Sequence, residues 1–307
     1  MQRTATAALL AATAVWGATF VTVKDALAAS DTFTFLALRF GVGAIAAGLI
    51  SLVFARPSTP LGMNGGARTL GMNRRVLKVG LGLGLVLFGG YALQTLGLER
   101  TTPARSAFVT GLTVIFVPFV SWALNRTRPA VRAFVAPLVA LVGLQRLTGV
   151  SLSDPIPPGD LLTLGCAVLY AFHIAGTGKY GKGLPSLKLT AVQLAVVAVL
   201  SGGLLPFVER RFEPTPAYWG AVLFTGVVAS ALAIGVQVWA QTKLTAVRAA
   251  VIYSLEPVFA LAWALVTGLG WPSAAELVGG AFILIAVLIS EVSFSPAPAG
   301  EVSGAAP

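Results

Sequence analysis

Ten stretches of this chain run for about twenty residues each with almost no charge, and this repetition restricts the fold more than any other feature. A helix crosses the hydrocarbon layer of a membrane with about 20 apolar residues, because it satisfies its backbone hydrogen bonds internally. The stretches lie near 5–27, 33–54, 76–98, 104–124, 132–150, 159–180, 186–206, 217–240, 247–268 and 275–294. Of the 307 residues, 10% are charged and 56% hydrophobic, with a mean hydropathy of +0.86. A soluble domain carries about 25% charged residues. The expectation is an all-α membrane protein of ten transmembrane helices. The fifth stretch is the most polar, with Gln145-Arg146 near its end. The first is read as an uncleaved span. Ala26-Leu27-Ala28 resembles a signal-peptidase site, but the apolar run is long for a leader and Lys24-Asp25 intervene. The tail 295–307, rich in Pro, Ala and Gly, is expected to be disordered.

The formal net charge of +10 is distributed along the chain in a way that sets topology. One set of alternate loops and ends holds Arg3; Arg56, Arg68, Arg74, Arg75 and Lys78; Arg126, Arg128 and Arg132; Lys179, Lys182 and Lys188; Lys243 and Arg248. The other holds Lys24, Arg100, Arg105, Arg146, Arg210 and Arg211. Basic residues concentrate on the cytoplasmic side, so both termini are expected there. Charge dispersed in short loops is not a nucleic-acid footprint. The single cysteine, Cys166, excludes an internal disulfide framework and reads as a small packed residue. With no CxxC pair and no His/Cys cluster, neither a metal nor a cofactor is expected.

An ungapped shift of 143 residues carries Gln94 onto Gln237, Thr102 onto Thr245, Arg105 onto Arg248, Ala107 onto Ala250 and Leu112 onto Leu255. Trp16 and Tyr170 correspond after a different gap. Two halves of five spans each, residues 1–150 and 151–294, must be inverted relative to one another, because five is odd. Inverted repeats are a mark of secondary transporters, whose sites lie near the midplane between the halves.

Few polar residues lie at depth, and they are the candidate site. Glu256-Pro257 interrupts the apolar run VIYSLEPVFALAWALV. A carboxylate inside a span is costly unless it faces a cavity or a partner, and proline removes a backbone hydrogen bond. Together they suggest a bent helix beside a polar space. Glu256 is open to four roles: substrate contact, proton-coupling carboxylate, gate, or structural acceptor from a neighbouring helix. Thr113, its counterpart in the first half, cannot ionise. Pro118 and Pro257 are candidate kinks. His173, with Tyr170 one turn before it, is a candidate for cavity lining, against a buried histidine bonded across helices. Gln94 and Gln237 are either interhelical glue or substrate contacts. Trp16 lies deeper than an interfacial belt requires and, with Tyr253, is a candidate aromatic wall. Arg39, seven residues into its span, reads as snorkelling outward or pairing with Asp31 or Glu99, not as a substrate ligand. Lys24 is placed at the outer interface, and Trp239 and Gln241 are read as interfacial anchors. Gly80 and Gly84, four apart, suit close helix approach.

These segments, in order and spacing, resemble the drug/metabolite transporter superfamily, EamA type. The carriers of the resemblance are LLAATAVWGATFVTVKDAL with Trp16, Gly17 and Lys24; FLALRFGVGAI with Arg39; TTPARSAFVTGLTVIFVPFVSWAL with Pro118; and TAVRAAVIYSLEPVFALAWAL with Glu256-Pro257. The resemblance implies a ten-helix carrier in the inner membrane of a bacterium, exporting amino acids, related metabolites or toxic small molecules through a cavity of alternating access. The loop from Arg56 to Arg75 is longer than is usual there, and the fifth span is more polar. The partners implied are a small-molecule substrate and the bilayer, with the proton as candidate coupling ion; oligomeric state is left open.

Other function classes fit less well. No nucleotide-binding motif is present to couple ATP. One histidine and one deep glutamate do not make the catalytic set of a membrane enzyme acting on lipid. A receptor or assembly factor finds no specific support. A sugar-phosphate or nucleotide-sugar carrier would want several Lys or Arg in its cavity, whereas this chain keeps almost all its basic residues in loops.

Overall fold

The computed structural model describes residues 2–54, 73–126, 131–150, 153, 155–266 and 271–293. The 295–307 tail and most of the long loop after Arg56 lie outside the described residues. Among the described residues the chain is helical, with one isolated β-bridge, Ser30 to Phe212, between two loops. Eight helical segments are long and apolar enough to cross a membrane: α1 (Gln2–Ala26), α2 (Thr32–Val53), α3 (Arg74–Glu99), α4 (Pro103–Asn125), α6 (Pro158–Tyr180), α7 (Ser186–Phe207), α8 (Pro216–Ala240) and α9 (Ala246–Trp263). Two shorter apolar helices complete the order, α5 (Val135–Thr148) and α10 (Ala274–Ser290). The fifth expected span is therefore shorter than the sequence suggested. A 3-10 turn, Val131–Phe134, leads into it, and Gly149 at φ 66° ends it beyond Arg146. At about 2.0 Å per 3-10 residue and about 1.5 Å per α-residue, turn and helix together reach about 29 Å.

The helix ends follow local chemistry. Asp31, Asn73, Thr102, Thr215 and Thr245 cap α2, α3, α4, α8 and α9 by accepting from first-turn amides. A lysine near a helix C-terminus can satisfy the last carbonyls. Lys24 does so for α3, donating to the carbonyls of Leu98 at 2.5 Å, Glu99 at 3.3 Å and Thr101 at 3.2 Å. Arg105, in the first turn of α4, reaches Asp160 at the start of α6, with Nη2 to Oδ2 at 2.7 Å and Nε to Oδ2 at 2.9 Å. Thr101 donates to the other carboxylate oxygen at 2.7 Å. Arg105→Met leaves Asp160 short of a charged donor. A loss of about 2 kcal/mol of stability is expected, measurable as a lowered melting temperature in detergent, with Arg105→Lys partly restoring it.

Helix packing relies on glycine where backbones approach. A Cβ on Gly80 or Gly84 would strike Val192 or Val196 of α7, and one on Gly97 would strike Gly159 and Thr163 of α6. Gly143 of α5 and Gly279 of α10 meet backbone to backbone. Helices that hold the same place in the two halves of the chain pack together: α2 with α7, α4 with α9, and α5 with α10. Other contacts come in exchanged pairs, α3 with α6 and α8 with α1, α3 with α7 and α8 with α2.

Candidate functional site

Three helices are interrupted at mid-depth, and the interruptions converge. α1 breaks at Ala18, α4 at Leu112, and α9 at Ser254-Leu255. The 143-residue shift carries Leu112 onto Leu255, so the α4 and α9 breaks coincide. Pro257 has no N–H to offer the Tyr253 carbonyl four residues back, and the interruption at Ser254-Leu255 lies between the two. Pro257 is the second residue of the helix that restarts at Glu256, where a missing N–H costs little. Pro118 lies inside the second part of α4, buried and six residues past the break, and it is absent from the cavity wall. Gly17 fits the α1 break against the α9 restart, since a Cβ there would meet Ala260 N and Glu256 O at 2.8 Å. A further interruption of the α-pattern is the π-helical turn Phe224–Leu232 in α8, of the kind found often at functional sites. Trp16 Nε1 donates to Ala229 O of this turn at 2.8 Å.

Between these breaks lies a cavity of about 110 Å³. That is roomy enough for several waters. Trp16, Gln94, Tyr170, His173, Gln237, Tyr253, Glu256 and Pro257 all line it. Its wall is built in corresponding pairs. The 143-residue shift carries Tyr91, Gln94, Thr110, Gly111, Thr113 and Val114 onto Ile234, Gln237, Tyr253, Ser254, Glu256 and Pro257. A shift of 154 carries Trp16, Thr19 and Phe20 onto Tyr170, His173 and Ile174. The polar chemistry is uneven across the pairs: Thr113 corresponds to Glu256, and Thr19 to His173.

The wall has an aromatic and a polar part. The ring centroids of Trp16 and Tyr253 lie 5.5 Å apart, edge to face. Those of Tyr91 and Tyr170 are also 5.5 Å apart. Both pairs have the geometry that aromatic quadrupoles prefer. A Cβ on Gly90 would collide with the Tyr170 ring, so this glycine makes room for it. Tyr170 donates to Gln94 Oε1 at 3.0 Å, and Gln94 Nε2 donates to Thr110 at 3.2 Å. His173 Nε2 lies 2.6 Å from Gln193 Oε1 of α7, and Gln193 Nε2 donates to Leu189 O at 3.2 Å. The Gln193 oxygen therefore faces the imidazole, which donates from Nε2. His173 is thus both bonded across helices and part of the cavity wall. Tyr253 Oη is buried without a hydrogen-bond partner among the described residues. The Glu256 side chain likewise has no hydrogen bond or ion pair there, which leaves its oxygens to the cavity.

Two sequence expectations are corrected. Arg39 does not snorkel. It is 3% exposed and donates from Nε to Ser230 at 3.2 Å. Its guanidinium stacks over Phe40 at 5.0 Å and Tyr91 at 5.1 Å, and it lines the cavity. Cation–π contact of this kind favours a desolvated arginine. Asp31 and Glu99 are engaged elsewhere, with Thr34 and Thr32. Gln241 is not an interfacial anchor but fully buried, whereas Trp239 is 36% exposed.

A helical bundle of membrane-spanning length around a polar, aromatic-walled cavity has the architecture of a membrane transporter for small solutes. The chain belongs to the EamA-like transporter family, within the drug/metabolite transporter superfamily; residues 3–147 and 157–291 each match it. It is 30% identical over 275 residues to an uncharacterized transporter of Archaeoglobus fulgidus, an alignment covering 90% of this chain and 82% of that protein. A solved crystal structure of a protein at 20% identity shares the fold, with a TM-score of 0.77 over 94% of this chain and 99% of that one. The protein is therefore a multi-pass membrane protein of a transporter family.

Proposed function

We propose that this protein is a secondary transporter that exports small organic solutes, neutral or zwitterionic, from a bacterium across its inner membrane by alternating access. In this reading residues 1–150 and 151–294 are inverted five-helix repeats with both termini cytoplasmic. The exchanged packing pairs and the paired cavity wall support it. The observation that carries the substrate class is Arg39 and Glu256 lining one cavity, with Glu256 unpaired among the described residues. A zwitterion matches both: its anionic end accepts from Arg39, its cationic end meets Glu256, and its body lies against Trp16, Tyr91 and Tyr170. One arginine balanced by one carboxylate argues against phosphate-bearing cargo. Glu256 is also where a coupled proton would be carried.

Purified protein in liposomes, challenged with a solute panel, tests the reading. Movement of neutral or zwitterionic solutes is expected, and movement of phosphorylated sugars alone would overturn it. His173→Ala is expected to reduce flux about tenfold at equal folded yield, because a hydrogen-bonding wall residue and its link to α7 are lost together. Undiminished flux removes His173 from the site. Tags on the two ends found on opposite faces would end the ten-helix, inverted-repeat account.

A further inference from the structure

Five lining residues have counterparts that do not line the cavity: Arg39 and Leu87, matched by Gln193 and Ser230, and a group of three at one end. Val23, Thr95 and Leu98 line the cavity near the ends of α1 and α3, but their counterparts under the same shifts, Thr177, Val238 and Gln241, do not. All six side chains are buried, Val23, Thr95 and Leu98 at 6%, 2% and 2% exposed and Thr177, Val238 and Gln241 at 1%, 1% and 0%, so the two ends differ in how far the cavity reaches and not in exposure. We propose that Thr177, Val238 and Gln241 form the gate that closes the cavity toward the ends of α6 and α8, with the hydrogen bond from Gln241 Nε2 to Ile174 O, 3.0 Å long, as its latch. The proposal rests on the two-half transporter reading above.

Three observations support it. First, the latch joins the end of α8 to α6 at Ile174, which itself lines the cavity, so the bond lies across the route a solute would take. Second, Thr177 Oγ1 is buried without a partner among the described residues. A hydroxyl shut away unbonded is costly, and opening to water would restore its hydrogen bond. Third, the Val23 end lacks the equivalent amide, because position 98 is leucine where position 241 is glutamine. The Val23 end is tied instead by Lys24, which donates to the carbonyls of Leu98, Glu99 and Thr101 and whose counterpart under the 154-residue shift is Gly178, so each end is held by its own bonds and the Gln241 latch is the one that borders the cavity through Ile174. The latch is also wired to the cavity, since Gln237 Nε2 donates to Gln241 Oε1 at 3.3 Å. A solute that draws Gln237 toward itself pulls on the same chain.

Single cysteines test the gate without any solute. In a Cys166→Ala background, Val23→Cys and Thr177→Cys are labelled with a charged, membrane-impermeant methanethiosulfonate applied from either face of proteoliposomes. Val23→Cys is expected to react faster from its face than Thr177→Cys from the other. Gln241→Leu removes the latch and should raise the Thr177→Cys rate about fivefold while slowing Val23→Cys, as a net hydrogen bond of about 1 kcal/mol implies. Leu98→Gln supplies the missing amide at the Val23 end and should shift both rates the same way. It disturbs no existing latch, so it decides the matter alone if Gln241→Leu does not fold. Equal rates at the two cysteines in the parent, or rates unmoved by Leu98→Gln in folded protein, overturn the gate. Neither result touches the solute reading, which the liposome panel tests separately.

Discussion

Glu256→Gln lowers solute flux by at least about tenfold while leaving folded, membrane-inserted protein at normal yield. The two halves of this expectation have separate grounds. Yield is preserved because the carboxylate has no protein hydrogen bond or ion pair among the described residues, so glutamine leaves no buried partner unsatisfied and restarts the α9 helix equally well. Flux falls because the cavity then keeps the Arg39 charge without its counterweight, and a cationic group on the solute has nothing to face. The same variant separates the roles left open for Glu256. If the solute still stabilises the protein against heat but a pH gradient no longer drives flux, Glu256 carries the proton. If stabilisation is lost as well, it binds solute. Normal flux under both conditions removes it from the mechanism. Arg39→Gln makes a useful contrast, since it also strips α2 of its bond to Ser230 of α8 and its stacking on Tyr91, and so should cost stability as well as flux.

Much of this arrangement is written in the sequence, and what is not has physical causes. Apolar runs reveal helices because lipid admits little else, and the 143-residue shift names Gln94 and Gln237 as a pair before either is placed. The candidates at depth meet in one cavity because polar groups in a bundle of this kind have nowhere else to go. Arg39 misleads because distance from a span end cannot tell a side chain that climbs to the interface from one that turns inward. Its direction depends on Ser230 and Tyr91, which are remote in sequence. The 154-residue shift holds a clue: it carries Arg39 onto Gln193, the partner of His173, which points inward. Gln241 misleads for a similar reason, since an amide near a tryptophan at a helix end looks interfacial until Ile174 of another helix is seen to accept from it. The prolines are unequal guides: the α9 interruption directly precedes Pro257, whereas Pro118 sits within continuous helix.

The largest effect on folding should come from Gly279→Leu. In an isolated helix this change is favourable, because leucine is a better helix former than glycine by about 0.8 kcal/mol. Here α10 lies against α5 so closely that a Cβ at position 279 would run into the backbone of Leu147 and Gly143 O. Backbone atoms cannot rotate away as the end of a flexible side chain can, so the two helices must separate. That separation would also unseat Ile283, which is fully buried against Gly143. Overpacking of this kind costs about 3 kcal/mol, and lost contacts along the α5–α10 seam add to it. The expected result is little or no folded protein by size-exclusion chromatography in mild detergent. Gly82→Leu is the control: nothing lies within 4 Å of its Cβ position, so the variant should equal or exceed the parent in yield. If Gly279→Leu is as well folded as Gly82→Leu, α5 and α10 do not pack at the separation described, and the two shortest apolar helices are held in the bundle by something other than this contact.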